Sequence, residues 1–145
     1  MEILTLGFTK KNAASFFGIL RAARITRLVD IRLKNVSGFS GFTKRDDLAF
    51  FLREICGADY VHQLMLAPTQ DLLDDYQKHR IPWSEYERRF VSLLAERQIE
   101  DRIPQSLFDG RVVLLCAEPT ADRCHRRLVA EYLRDHWGEV EVTHL

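Results

Sequence analysis

The sequence predicts a three-layer α/β fold: a mostly parallel sheet of four or five strands with helices on both faces. Three observations carry this. Short apolar runs alternate with segments of helical periodicity along the whole chain, the pattern of βα units. The runs at residues 3–8 and 112–116 are continuously apolar, as in strands buried on both sides. The chain has 145 residues, enough for one substantial core and too few for two.

Ile3-Leu4-Thr5-Leu6-Gly7-Phe8 reads as the first strand. Lys11 to Ala23 places Ala13, Phe16, Phe17, Leu20 and Ala23 at helical spacing. Arg27 to Ile31 is a second strand. Asn35 to Thr43 is a loop with Gly38 and Gly41, after which Thr43 is the expected cap of a helix ended by Gly57. Tyr60-Val61-His62 starts a third strand or extended segment, closed by Pro68. Thr69 and Asp71 open a helix to about Lys78, and Ser84 is the expected cap of the next, which carries Tyr86, Phe90, Leu93 and Leu94. Arg111 to Cys116 is the strongest strand. A helix from about Ala121 to Trp137 follows, with Thr120 or Asp122 as its cap, and Val140 to Thr143 forms a last strand.

Composition narrows the function classes. Hydrophobic residues make up 46% and charged residues 29%, too apolar for a disordered chain. No apolar run approaches the ~18 residues of a membrane span. The start, Met1 to Thr5, lacks the basic segment of a signal peptide, so a cytoplasmic protein is expected. Three cysteines are an odd number, and in a reducing compartment they are expected as free thiols. The net charge is zero, which excludes a globally basic nucleic-acid coat protein. Charge is nevertheless uneven: residues 1–62 carry ten Lys/Arg against six Asp/Glu. Random surface composition explains this, as does a basic face turned toward an anion.

Ligands of open parallel sheets bind outside the carboxyl ends of the strands. Gly7 and Thr9 follow the first strand, and Asp30, Arg32, Asn35 and Ser37 follow the second. After the strong strand come Cys116, Glu118, Cys124, His125 and Arg126. Asp30 and Arg32 share a face of their strand. They form either a structural ion pair or an anion clamp. Cys124 and His125 are expected in the first helical turn, where the helix dipole and nearby arginines favour a thiolate. Six residues separate Cys116 from Arg123, not the five of the phosphatase and rhodanese loops. A metal site of Cys116, Cys124 and His125 lacks the tight cysteine pairs of zinc sites, and neighbouring helical residues point about 100° apart. Each of these residues also has a packing explanation: the cysteines as small buried apolar groups and His125 as a bonded core histidine. Cys56 reads as packing, and Trp83, Tyr86 and Phe90 as a core stripe.

Three elements together resemble a family: Thr5-Leu6-Gly7-Phe8-Thr9, Leu28-Val29-Asp30-Ile31-Arg32, and Cys116-Ala117-Glu118 followed by Cys124-His125-Arg126-Arg127. The chain resembles the domain-of-unknown-function family 488, from Leu4 to Leu133. Many members have a proline shortly after the Asp-x-Arg element, where this chain has Lys34-Asn35. The resemblance implies a small cytoplasmic α/β protein and treats Asp30, Arg32, Cys116, Glu118, Cys124, His125 and Arg126 as one site; it supplies no reaction.

The leading expectation is an enzyme acting on an anionic substrate, a nucleotide or nucleic-acid-like group. Cys116, Glu118 and His125 are its catalytic candidates. Gly7, Thr9, Asp30, Arg32, Asn35, Ser37, Cys124 and Arg126 are its substrate-binding candidates. No cofactor and no metal are assigned. The alternatives are a non-catalytic nucleotide or nucleic-acid binding module, and a metal-binding protein using cysteine and histidine.

Overall fold

The computed structural model describes residues 1–36, 41–118 and 121–145. Five strands form one sheet among these residues: β1 (Glu2–Gly7), β2 (Arg27–Asp30), β3 (Asp59–His62), β4 (Val112–Cys116) and β5 (Glu141–His144). Their spatial order is β3-β2-β4-β1-β5, and every neighbouring pair is parallel.

Strand alternation sends each strand's side chains to two apolar layers. Leu4, Leu6, Leu28, Val113 and Leu115 face one side, packed by Phe16, Phe17 and Leu20 of α1 (Ala13–Ala22) and Leu48 of α2 (Arg45–Phe51). Ile3, Val29, Val112 and Leu114 face the other. There they meet α3 (Gln70–Gln77), α4 (Trp83–Glu96), α5 (Ile99–Arg102) and α6 (His125–Trp137). The continuously apolar runs are thus strands covered on both faces.

Local chemistry sets several element ends. Asn12 accepts the Ser15 N–H at the start of α1, and Thr69 accepts the Leu72 N–H at the start of α3. A π-helical turn (Leu52–Cys56) continues α2. It ends at Gly57, whose φ of 62° suits glycine.

Other ends differ from expectation. Lys44, not Thr43, precedes α2, because Thr43 lies in a short 3₁₀ turn and its carbonyl is taken by Arg32. Pro82 rather than Ser84 precedes α4, so Ser84 falls inside the helix. The short helix α5 lies in a stretch to which the sequence reading assigned no element. The change at α6 matters most for function. This helix begins at His125, about four residues later than expected. Cys124 is its N-cap in extended conformation (φ −139°, ψ 143°) and caps with no side-chain hydrogen bond. Thr120 lies outside the described residues, and Asp122 does not cap the helix.

The topology fixes where a ligand can go. β1 and β2 lead into α1 and α2 on one face, while β4, which lies between them, leads into α6 on the other. Adjacent strands whose connections leave to opposite faces open a crevice at their carboxyl ends. In this chain the crevice lies at the end of β4.

Candidate functional site

A cavity of about 320 Å³ lies at that crevice, within the range of small-molecule sites. Cys116, Ala117 and Glu118 come to it from the end of β4, and Cys124 and His125 from the start of α6. Arg32, Leu33 and Lys34 arrive from the segment after β2, and Phe8 from the segment after β1. Pro68 and the α3 residues Gln70, Leu73 and Gln77 close the remaining wall. Lys34, Gln70, Gln77 and Glu118 are exposed around the rim, whereas Cys116, Cys124 and Arg32 are buried beneath it.

Asp30 and Arg32 form the first of two arginine clusters. Asp30 is fully buried. Arg32 Nε donates to its Oδ1 at 2.9 Å and Nη2 to its Oδ2 at 2.8 Å, a bidentate pair. The Arg32 backbone N–H also donates to Oδ1, at 3.1 Å, and Tyr60 Oη donates to Oδ2 at 2.6 Å. Arg32 Nη2 further reaches the Thr43 carbonyl at 2.6 Å, and the guanidinium lies over the Phe8 ring, 5.2 Å from its centre. Asn35 Nδ2 donates to Tyr60 Oη at 2.9 Å, so Asn35 supports the tyrosine from outside the cavity. Burial together with the Asp30 hydrogen bond drives the Tyr60 phenol well above its ordinary value. This is the structural ion pair weighed above, with one side of Arg32 left toward the cavity.

The second cluster surrounds the cysteines. Cys116 and Cys124 are joined by a disulfide, S–S 2.06 Å, where free thiols were expected. Folding causes this: the extended Cys124 at the head of α6 lies against the last residue of β4. Arg126, 2% exposed, donates from Nη1 to Cys116 Sγ at 3.1 Å and to the Glu118 carbonyl at 2.6 Å. Its Nε is buried without a hydrogen-bond partner. Glu118 and Asp122 act on this guanidinium through space, and burial lowers its pKa, yet arginine keeps its proton. Arg126 therefore aims its charge at a sulfur. It is not among the residues that line the cavity.

His125 Nε2 donates to the Ile31 carbonyl at 2.8 Å, because a carbonyl can only accept. The ring is thereby fixed with its other nitrogen unprotonated when neutral. Burial lowers its pKa to about 4, with the Ile31 carbonyl opposing and Arg126 reinforcing the shift. Near pH 7 His125 is neutral, so it can accept a proton or a metal ion and cannot serve as a charged acid. Cys116, Cys124 and His125 bring their ligand atoms within 4.8 Å of one another. The 100° argument against this trio does not apply, since Cys124 is extended and not helical.

Of the remaining candidates, Gly7 sits inside the wall of the site. A Cβ there would lie 1.5 Å from the Glu118 carbonyl oxygen and 2.7 Å from Arg126 Nη1, so only glycine allows β1 and the segment after β4 to approach this closely. The Thr9 N–H donates to the Ala117 carbonyl at 2.9 Å. Gly7, Thr9, Asp30, Asn35 and Arg126 hold the wall without lining the cavity. Ser37 lies outside the described residues. His62 Nε2 donates to the Arg32 carbonyl at 2.7 Å and positions that segment. Tyr60, Gln70 and Gln77 were not picked out from the sequence; the register Leu28↔Tyr60 and the placement of α3 put them there.

A family model described as domain of unknown function DUF488 matches residues 12–133. The chain belongs to the DUF488 family. The match covers the Asp-x-Arg and Cys-x-Glu…Cys-His-Arg elements and leaves the Thr5–Thr9 element outside. No curated protein and no solved structure matches the DUF488 chain. Among the described residues, no helix is long and apolar enough to cross a membrane.

Proposed function

We propose that this DUF488 chain is an enzyme whose centre is the reduced Cys116–Cys124 pair, acting on an anionic small molecule held in the cavity at the end of β4. One observation carries the reading: Arg126 Nη1 donates to Cys116 Sγ at 3.1 Å. A buried cation directed at a sulfur favours the thiolate, which is the nucleophilic form. Cys116 is the nucleophile. Cys124, at the positive end of a 13-residue helix, faces the substrate. Lys34 on the rim attracts the anion, Arg32 stays tied to Asp30 in the wall, and His125 or Glu118 handles protons. Cytoplasmic, reducing conditions suit a centre that works as thiols.

Four of the ten Lys/Arg of residues 1–62 are paired with an acid, Arg32 with Asp30 and three others. Arg27, Arg45 and Arg53 are each paired with an acid: Asp59, Asp46 and Glu54.

The test compares alkylation of the reduced protein by iodoacetate and by uncharged iodoacetamide, resolved by peptide. Cys56 is the internal reference; it is half-buried, and burial raises its pKa. The expected result is a higher iodoacetate-to-iodoacetamide ratio at the Cys116–Cys124 pair than at Cys56. Equal ratios, or a pair that reacts only after unfolding, would overturn the reading.

A second reading, metal binding, is favoured by the 4.8 Å grouping of Cys116, Cys124 and His125. Two thiolates and a neutral imidazole suit zinc and leave one position open. It predicts near-stoichiometric zinc retained by the reduced chain after gel filtration and lost in His125→Gln. Zinc-free reduced protein of unchanged stability would dismiss it.

A further inference from the structure

We infer that the Cys116–Cys124 pair is a redox couple that exchanges with a low-molecular-weight disulfide bearing carboxylate and amino groups. The inference rests on the reading above and names its substrate class and reaction. Four observations support it. The two sulfurs lie at bonding distance of each other. Both cysteines line the same cavity. Arg126 touches only one of the sulfurs, which makes the pair unequal. Lys34 and Glu118, both exposed on the rim, offer one cationic and one anionic contact. An amino-acid-derived disulfide carries both complementary groups.

The inequality assigns the roles. Cys116 is fully buried, whereas Cys124 keeps 3% exposure at the head of α6. The positive end of α6 favours the Cys124 thiolate as the attacking sulfur. In the oxidative direction the Cys124 thiolate attacks one sulfur of the substrate RS–SR. That S–S bond breaks, one RS⁻ departs, and a Cys124–SR bond forms. The Cys116 thiolate then attacks Cys124 Sγ. The Cys124–SR bond breaks, the second RS⁻ departs, and the Cys116–Cys124 bond forms. The two protons of the dithiol end on the two departing thiolates. The small disulfide gains two electrons and the protein pair loses two.

In reverse, a small thiolate attacks Cys124 Sγ and Cys116 leaves. The hydrogen bond from Arg126 makes Cys116 the better leaving group, because a more stabilised thiolate departs faster. A second thiolate then frees Cys124 and releases RS–SR. In this reaction Cys124 meets the small molecule, and the nucleophilic role of Cys116 is exercised on Cys124 Sγ, not on the small molecule itself.

The test treats the reduced full-length chain with oxidised glutathione under anaerobic conditions, stops the reaction by acid and alkylation, and maps the cysteines by mass spectrometry. The same is done with the uncharged bis(2-hydroxyethyl) disulfide, and all rates are normalised to Cys56. The wild-type chain should close the Cys116–Cys124 bond, with a preference of about tenfold for the charged disulfide, the lower end of what charge focusing in a cleft provides. Lys34→Glu should lose that preference. Cys116→Ser should accumulate glutathione on Cys124, while Cys124→Ser should leave Cys116 unmodified.

Pair closure no faster than glutathione addition to Cys56 would overturn the redox couple. Equal normalised rates for the two disulfides would overturn the substrate class. Glutathione on Cys116 in Cys124→Ser would overturn the assigned order. The wild-type arm decides the first two without any variant. A pair that shows the iodoacetate preference yet ignores both disulfides removes this inference and leaves the proposed function standing; a pair inert to alkylation removes both.

Discussion

Two buried arginines stand at the ends of adjacent strands, and they are used differently. Arg32, after β2, is met by both oxygens of Asp30, and Tyr60 bonds the same carboxylate. Arg126, beside the end of β4, gives its hydrogen bonds to a sulfur and a carbonyl and has a buried Nε without a partner. The first cluster is a satisfied network, and its worth is structural. The second leaves a polar atom unpaired, which costs about 1–3 kcal/mol and is uncommon in native interiors. Arg27 Nε is likewise buried without a partner, so it is the contact to sulfur, not the orphan atom, that marks Arg126. The comparison therefore separates architecture from chemistry at one sheet edge.

The comparison can be broken most easily at Asp30. Asp30→Ala should destabilise the chain by about 3–5 kcal/mol, because it strands Arg32 as a buried unpaired charge. Urea unfolding measures this, and a loss below about 1 kcal/mol would mean that Arg32 finds water instead. Tyr60→Phe removes one charge-assisted hydrogen bond and should cost about 1.5–3 kcal/mol in the same assay.

His125 links the two clusters through the Ile31 carbonyl and adds a pH dependence. Its folded pKa, about 4, lies below its ordinary 6.5. The unfolded chain thus binds the proton more readily, and stability falls as pH drops from about 6.5 toward 4. The expected loss between pH 7 and pH 5 is about 2 kcal/mol from this residue. His125→Gln should flatten that difference, and an unchanged slope would place the pH dependence elsewhere. The smallest stability effect is expected from Arg126→Met, about 1 kcal/mol or less, since the substitution removes a buried charge with an unbonded Nε along with two hydrogen bonds. A loss as large as that of Asp30→Ala would erase the distinction between the clusters.

Much of this edge was legible in the sequence because strand ends are. The apolar run of β4 and the Asp-x-Arg step on β2 point to one sheet edge once parallel strands are assumed. The caps at Thr69 and Gly57 follow residue chemistry. Other parts depend on tertiary placement. The head of α6 misled because Thr120 and Asp122 are good capping types, while the chain instead stays extended through Cys124. That delay is what lets Cys124 reach Cys116, so the disulfide was hidden with it. Tyr60 reaches Asp30 only because β3 pairs with β2, and the wall formed by α3 depends on the sheet order, which periodicity does not encode.

The central claim is that Arg126 holds Cys116 ready as a thiolate while Arg32 is architectural. The ultraviolet thiolate absorbance of the reduced chain, titrated against pH with Cys116→Ser as the blank, tests it most directly. The account predicts a Cys116 midpoint well below the ordinary value of about 8.5, rising in Arg126→Met. A midpoint at or above 8.5, or one that Arg126→Met leaves unmoved, would contradict it.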